Sequence, residues 1–205
     1  MISLPFFAAG AASWSLTEYC LHRFAGHGPR RGPPKGLEWV TPTGVGAAFQ
    51  QEHVAHHVTP TYFAASWKKA ATAALAVPVV GGAVSLVAGP RRGVSYALGF
   101  ASAYLAYEVI HRRVHTDAPI GAYSRWVDKN HLHHHVNPRK NHGVTSPVWD
   151  LVFGTHESVS QKVKLPARMA PAWMTDEHGV LREEFAHDYE LTGAPRPRTA
   201  AVASA

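Results

Sequence analysis

An uninterrupted run of 21 residues without a charge, Ala70 to Pro90, constrains this chain more than any other feature. About 20 apolar residues in a helix cross the hydrocarbon core of a bilayer. Met1 to Thr17 is a second uncharged run. Gly93 to Tyr107, closed by Glu108 and extended by Val109 and Ile110, is a third. Only a GPRRG insert separates the 70–90 and 93–107 runs, so they read as a helical hairpin. Pro78 and the Gly81-Gly82 pair mark where its first arm can bend. A soluble core of three buried helices is the alternative, and two such long runs in 205 residues favour the bilayer. The first run contains an Ala9-Gly10-Ala11 step but has no basic residue ahead of it, so it reads as a span rather than a cleaved leader.

The charges give an orientation. With the hairpin tip Arg91-Arg92 outside, Arg23, Arg30, Arg31, Lys35, Lys68, Lys69, Arg112 and Arg113 all fall inside, as the positive-inside rule prefers. The N-terminus is then outside and the C-terminus in the cytoplasm. Cys20, the sole cysteine, suits a reducing face and excludes both a disulfide framework and a cysteine-based zinc finger. With 46% hydrophobic and 17% charged residues the chain is not of the disordered class. The net charge of +6 raises nucleic acid as a partner. The basic residues flank the apolar runs instead of forming a stripe with stacking aromatics, so no nucleic-acid partner is expected.

Histidine is the compositional outlier, with 15 copies against 14 acidic residues. None lies between His57 and His111, the stretch of the hairpin; five lie before it and seven in His111 to His142. The spacings are HRFAGH (His22, His27), HVAHH (His53, His56, His57), HRRVH (His111, His115) and HLHHH (His131, His134, His135). Positions i, i+3 and i+4 share a helix face, so HVAHH and HLHHH each aim three imidazoles one way and HRRVH aims two. His22 and His27 are five apart, which is off-face for a regular α-helix; Gly26 suggests that the helix ends there and His27 reaches back. Ten imidazoles exceed one coordination sphere and suit two metals at about five each. Neutral imidazole serves zinc, copper, iron and nickel alike. Glu18, Glu52, Glu108 and Asp128 are candidates to receive the far ring N–H groups, and each is equally readable as an ordinary helix-surface acid. His133 is squeezed within HLHHH and is expected to point away. His142, His156, His178 and His187 lack cluster partners and are read as non-ligands.

These motifs, EYCLHRFAGH, QEHVAHH, HRRVH and HLHHH, followed by NHGVTSPVWDLVFGT, resemble the fatty acid hydroxylase (sterol desaturase) superfamily of membrane enzymes, and most of all its fatty acid 2-hydroxylase branch. The likeness runs from about Tyr19 to Thr155. It implies two iron ions held by His22, His27, His53, His56, His57, His111, His115, His131, His134 and His135. It also implies dioxygen as co-substrate, insertion of oxygen into a C–H bond of a lipid or acyl chain, and a wall near the second cluster formed by Thr145 to Thr155. Trp149 there reads as packing. Zinc can replace iron in preparations, because it binds nitrogen and oxygen ligands more tightly than ferrous iron. No cytochrome b5-like domain is fused, so a separate donor of ferredoxin or cytochrome b5 type is expected. His142 stands where the family commonly has an aromatic, and one apolar run precedes the first motif where larger relatives have two.

The expected fold is all-α: an integral membrane helical bundle with a transmembrane hairpin and a His-rich dimetal cap on the cytoplasmic side. Residues 1–160 are expected to form the hydroxylase-like domain and 161–205 a C-terminal extension with a partly disordered tail from Gly193. A carotenoid ring hydroxylase, with a wider third pair than HRRVH, or a lipid desaturase with the same centre is the alternative enzyme. A membrane protein that merely stores or senses metal is the alternative outside enzymes, and it has no need of the hairpin or the TSPVWDLVFGT stretch.

Overall fold

The computed structural model describes residues 1–195; residues 196–205, most of the expected disordered tail, lie outside the described residues. Helix α1 (Leu4–Cys20) continues into a π-helical turn, Leu21–Gly26, and a short 3-10 turn spans Gly36–Val40. Helices α2 (Pro42–Val58), α3 (Ser66–Ala88), α4 (Pro90–Thr116), α5 (Ala122–Val136) and the short α6 (Val148–Val152) follow. The chain is thus mostly helical. Strands β1 (Val163–Pro166) and β2 (Tyr189–Thr192) form one parallel pair that the all-α expectation did not include. Strands of 4 residues are too short to show alternation in sequence. The chain divides into two compact units, one of Met1–Glu52 with Phe63–Ile110, the other of His53–Tyr62 with His111 onward.

In the first unit, α3 alone among the described residues is long and apolar enough to cross a membrane, and only 6% of its apolar window is buried. A core helix of a soluble domain would bury that surface. Helix α3 runs unbroken through Pro78, and Gly89, at φ 91°, allows the reversal into α4. Arg91 and Arg92 therefore sit in the first turn of α4 instead of a loop. The helices touch through small residues. A Cβ on Gly99 would fall 1.9 Å from the Phe7 carbonyl oxygen of α1, and one on Gly93 the same distance from the Ser85 hydroxyl of α3. Such seams let backbones approach where lipid gives no hydrophobic drive to association. Trp14 adds edge contacts to Phe100 and Tyr104, and Ser95 Oγ accepts the Ser3 N–H. Lys68 pairs with Glu52 and Lys69 with Glu108.

The second unit gathers the ends of α2 and α4 with α5, α6 and the strand pair. Its core includes Val114, Val127, Leu132, Val144, Val163, Leu165 and Met174, and α5 packs on β1. Residues 163–192, whose sequence lacks an apolar period, thus supply part of this core. The NHGVTSPVWDLVFGT stretch folds around one wholly buried carboxylate. Asp150 accepts the N–H groups of His142 (2.9 Å) and Gly143 (2.7 Å) and the Thr155 hydroxyl (2.7 Å). Asn141, at φ 55°, pairs its side-chain amide with both backbone groups of Glu157.

Two outcomes are expected from this packing. Gly99→Val should lower the thermal unfolding midpoint in detergent, since overpacking costs about 1–3 kcal/mol and here meets backbone. Gly82→Ala, with nothing within 4 Å of its added Cβ, should not lower it. Asp150→Asn puts an amide N–H₂ among donors and should cost about 2 kcal/mol. Thr155→Val, which removes one donor, should cost less by the same measurement.

Candidate metal centre

Three helix ends in the second unit carry the histidine motifs. The i, i+3, i+4 spacing of HVAHH stands on the last turns of α2, HRRVH on the end of α4, and HLHHH on α5. Their imidazoles converge. His56 Nε2 lies 3.1 Å from His111 Nε2, His115 Nε2 lies 3.1 Å from His131 Nε2, and His131 Nε2 lies 3.1 Å from His135 Nε2. Ligand atoms of His56, His115, His131 and His135 all fall within 4.8 Å of one another, and all four residues are buried. A second trio in this unit is His53, His57 and His134, with the His57 ring 4.5 Å from His53 and 5.0 Å from His134.

His22 and His27 belong to the first unit. The helix does end at Gly26, and its last turn is π-helical: the His27 N–H donates to the His22 carbonyl, an i→i+5 bond. The wider turn places residues five apart on successive turns of one side, and the two rings stand 5.3 Å apart. Gln50 holds the loop that follows. Its Nε2 donates to the carbonyls of Ala25, Gly28 and Pro29, and its Oε1 accepts the Arg31 N–H.

The donor set suits a transition-metal dication. Burial first, then charge on neighbouring imidazoles, holds the pKa values of His115, His131 and His135 well below the ordinary histidine range. The rings are neutral at pH 7, with a lone pair to give. At a metal–nitrogen distance of about 2.0–2.1 Å, neighbouring ligands at right angles stand about 3 Å apart, which matches the observed nitrogen separations. Two ring tautomers are fixed from outside by carbonyls: His56 Nδ1 faces Tyr62 O at 2.9 Å, and His134 Nδ1 faces Lys140 O at 2.6 Å. A far N–H given to a carbonyl turns Nε2 and its lone pair inward. Asp128, buried on α5 three residues before His131, has an Oδ2 with no hydrogen-bond partner. Burial pushes its carboxyl up to about 8, against the pull of Arg113.

Of the other acids singled out in the sequence, Glu18 is buried, while Glu52 and Glu108 are engaged by lysines. His133 turns to Glu157 Oε1 at 3.1 Å. His142 is buried with its ring 5.3 Å from that of His134, and the side chains of His178 and His187 are exposed. The tautomer-fixing carbonyls of Tyr62 and Lys140 were not foreseen, because a backbone acceptor carries no residue signature. Gln50 was also missed; its place three residues before His53 was the available signal.

The family model described as fatty acid hydroxylase matches residues 7–155. The dihydroceramide fatty acyl 2-hydroxylase FAH2 of Arabidopsis thaliana is 30% identical over 159 residues, covering 77% of this chain and 62% of its own length. The ceramide very long chain fatty acid hydroxylase scs7 of Schizosaccharomyces pombe is 30% identical over 168 residues, 75% of this chain and 43% of that protein. The human fatty acid 2-hydroxylase is 26% identical over 151 residues, with coverage of 73% and 38%. The chain therefore spans less than two thirds of the length of these relatives. A solved structure of full-length scs7p, in which only the hydroxylase domain is visible, superposes with a TM-score of 0.57 at 26% identity, over 75% of this chain and 55% of that one. The buried imidazoles stand in the matched region, and the chain belongs to the fatty acid hydroxylase family, with its relatives in the 2-hydroxylase branch.

Proposed function

We propose that this chain is a membrane-bound diiron oxygenase that hydroxylates a lipid or fatty acyl chain, with the acyl 2-position as the target its relatives suggest. The observation that carries this reading is the set of five imidazoles in the second unit, His56, His111, His115, His131 and His135, with nitrogens 3.1 Å apart. They would hold one iron, and His53, His57 and His134 of the same unit would offer imidazoles to the second, with His22 and His27 taken as ligands from the sequence motifs. Bound there, iron supplies dioxygen activation: one oxygen atom enters a C–H bond and the other leaves as water, with two electrons and two protons from outside.

The chain's own part is to hold, orient and dry the site. The Tyr62 and Lys140 carbonyls set the tautomers of His56 and His134. Burial of His131 and its neighbours keeps bulk water away. Asp128, whose carboxyl burial holds largely neutral at pH 7, offers an oxygen beside an otherwise all-imidazole set, and a cation bound there would draw it into its charged form. Electrons come from a ferredoxin- or cytochrome b5-type donor. Helices α3 and α4 cross the bilayer as a hairpin, with the histidine motifs on the cytoplasmic face, the N-terminus outside and the C-terminus inside.

Two measurements test the reading. Protein from iron-supplemented, zinc-depleted medium should carry about two irons per chain, five-ligand sites being saturated by ten imidazoles. His56→Ala should lower that content and abolish turnover, whereas His178→Ala should alter neither; full metal and full turnover in His56→Ala would remove it from the ligands. Lipid analysis of an expressing host should show 2-hydroxylated acyl chains that vanish with His134→Ala. New double bonds in their place would make the enzyme a desaturase, and bound iron without any oxidised lipid would favour metal storage.

A further inference from the structure

We infer that the C-terminal strap, residues 163–192, is a working part of the metal centre, and that Trp173 is the positioning residue that fixes His115. This rests on the reading of the His115 set as metal ligands. The strap lies beyond residues 7–155, which carry the family match.

Helix α4 ends at Thr116, so its last carbonyls have no helical N–H to receive. Arg113 O is met by the Asp117 N–H at 2.9 Å. Val114 O, one bond from His115, is met from the strap instead: the Trp173 indole N–H donates to it at 2.9 Å in a buried contact. Val114 and His115 are each 1% exposed, so the contact is shut off from bulk solvent. The indole is itself fixed. Phe185 sits edge-on at 4.9 Å and Tyr189 at 6.2 Å, and Tyr189 is in register with Val163 across the parallel pair.

The strap also bears on the helix that carries the partner ligands. Strand β1 packs on α5, the source of His131 and His135. Between them the two contacts fix the end of α4 and the flank of α5, whose His115 and His131 nitrogens stand 3.1 Å apart. Arg168 to Pro171 share with His115 the wall of a cavity of about 200 Å³, so the strap also closes the site on that side. A polar contact outside the ligand shell that orients a ligand is worth about 10–100-fold in metal affinity.

The test is cobalt(II) titration of the full-length detergent-purified apoprotein, read by its visible ligand-field bands and by thermal unfolding. Trp173→Phe keeps the ring among Phe185 and Tyr189 and removes the N–H. Replacement of Trp173 by benzothienylalanine removes the N–H with the shape unchanged, which serves where the Phe variant folds poorly. The expected result is a wild type that takes up two cobalt ions, and variants in which one site is unchanged and the other is at least about tenfold weaker with shifted bands. Trp39→Phe, at an exposed position, should match wild type. Wild-type affinity and bands in the benzothienylalanine protein overturn the inference, as does a lowered unfolding midpoint with cobalt binding intact. A wild type that takes up no cobalt overturns the metal reading itself, and the inference with it.

Discussion

Lone pairs facing one another in a dry site are the constraint on which the second unit depends. His115, His131 and His135 are each at most 6% exposed and stand with their Nε2 atoms 3.1 Å apart in succession. Burial keeps them neutral, so no charge is there to repel, but it also shuts the nitrogens off from bulk water. Adjacent acceptor lone pairs need either a shared proton or a shared cation. A divalent metal answers several nitrogens at once, which one proton cannot do. Bringing such rings together is costly, and the surrounding structure must be firm enough to maintain the arrangement.

That firmness comes from hydrogen bonds made outside the histidine motifs. Helix ends leave carbonyls unsatisfied, and the motifs of α2, α4 and α5 sit at or near helix ends. The chain meets this in different ways. Past the end of α2, the Tyr62 carbonyl comes back to His56 Nδ1. Past the end of α5, the Lys140 carbonyl comes back to His134 Nδ1. At the end of α4, Trp173 reaches Val114 O from 59 residues away. In the first unit the π-helical turn and the Gln50 amide do the corresponding work around His22 and His27. Histidines at helix ends can be oriented by whatever the following loop brings back, and this allows imidazoles from separate helices to be aimed independently.

The histidine motifs were legible in the sequence because their signal is local: i, i+3 and i+4 define a helix face whatever the tertiary fold. The end of the first helix at Gly26 was legible for the same reason, although a five-residue spacing gives no indication that the last turn widens. The strap was not legible. Its strands have 4 residues each, and its anchors, Val163, Leu165, Trp173 and Tyr189, are spread over a stretch with no period. Glu52 and Glu108 illustrate another limit of local reading. Lys68 and Lys69 were read as topology signals, and the structure shows that they also engage those two carboxylates.

Two packing chemistries therefore divide the molecule. The first unit relies on close backbone approach at Gly10, Gly81, Gly93 and Gly99, a mode that works in lipid because it needs no hydrophobic drive. The second relies on buried polar groups that are answered one by one, as Asp150 is by His142, Gly143 and Thr155. Such networks are strong when complete and weak when one member is missing. A change on the outside of α3 should then be absorbed locally. A change at Asp150 or Trp173 should propagate to the imidazoles, because in the second unit hydrogen bonds of this kind tie the helix ends that carry the rings.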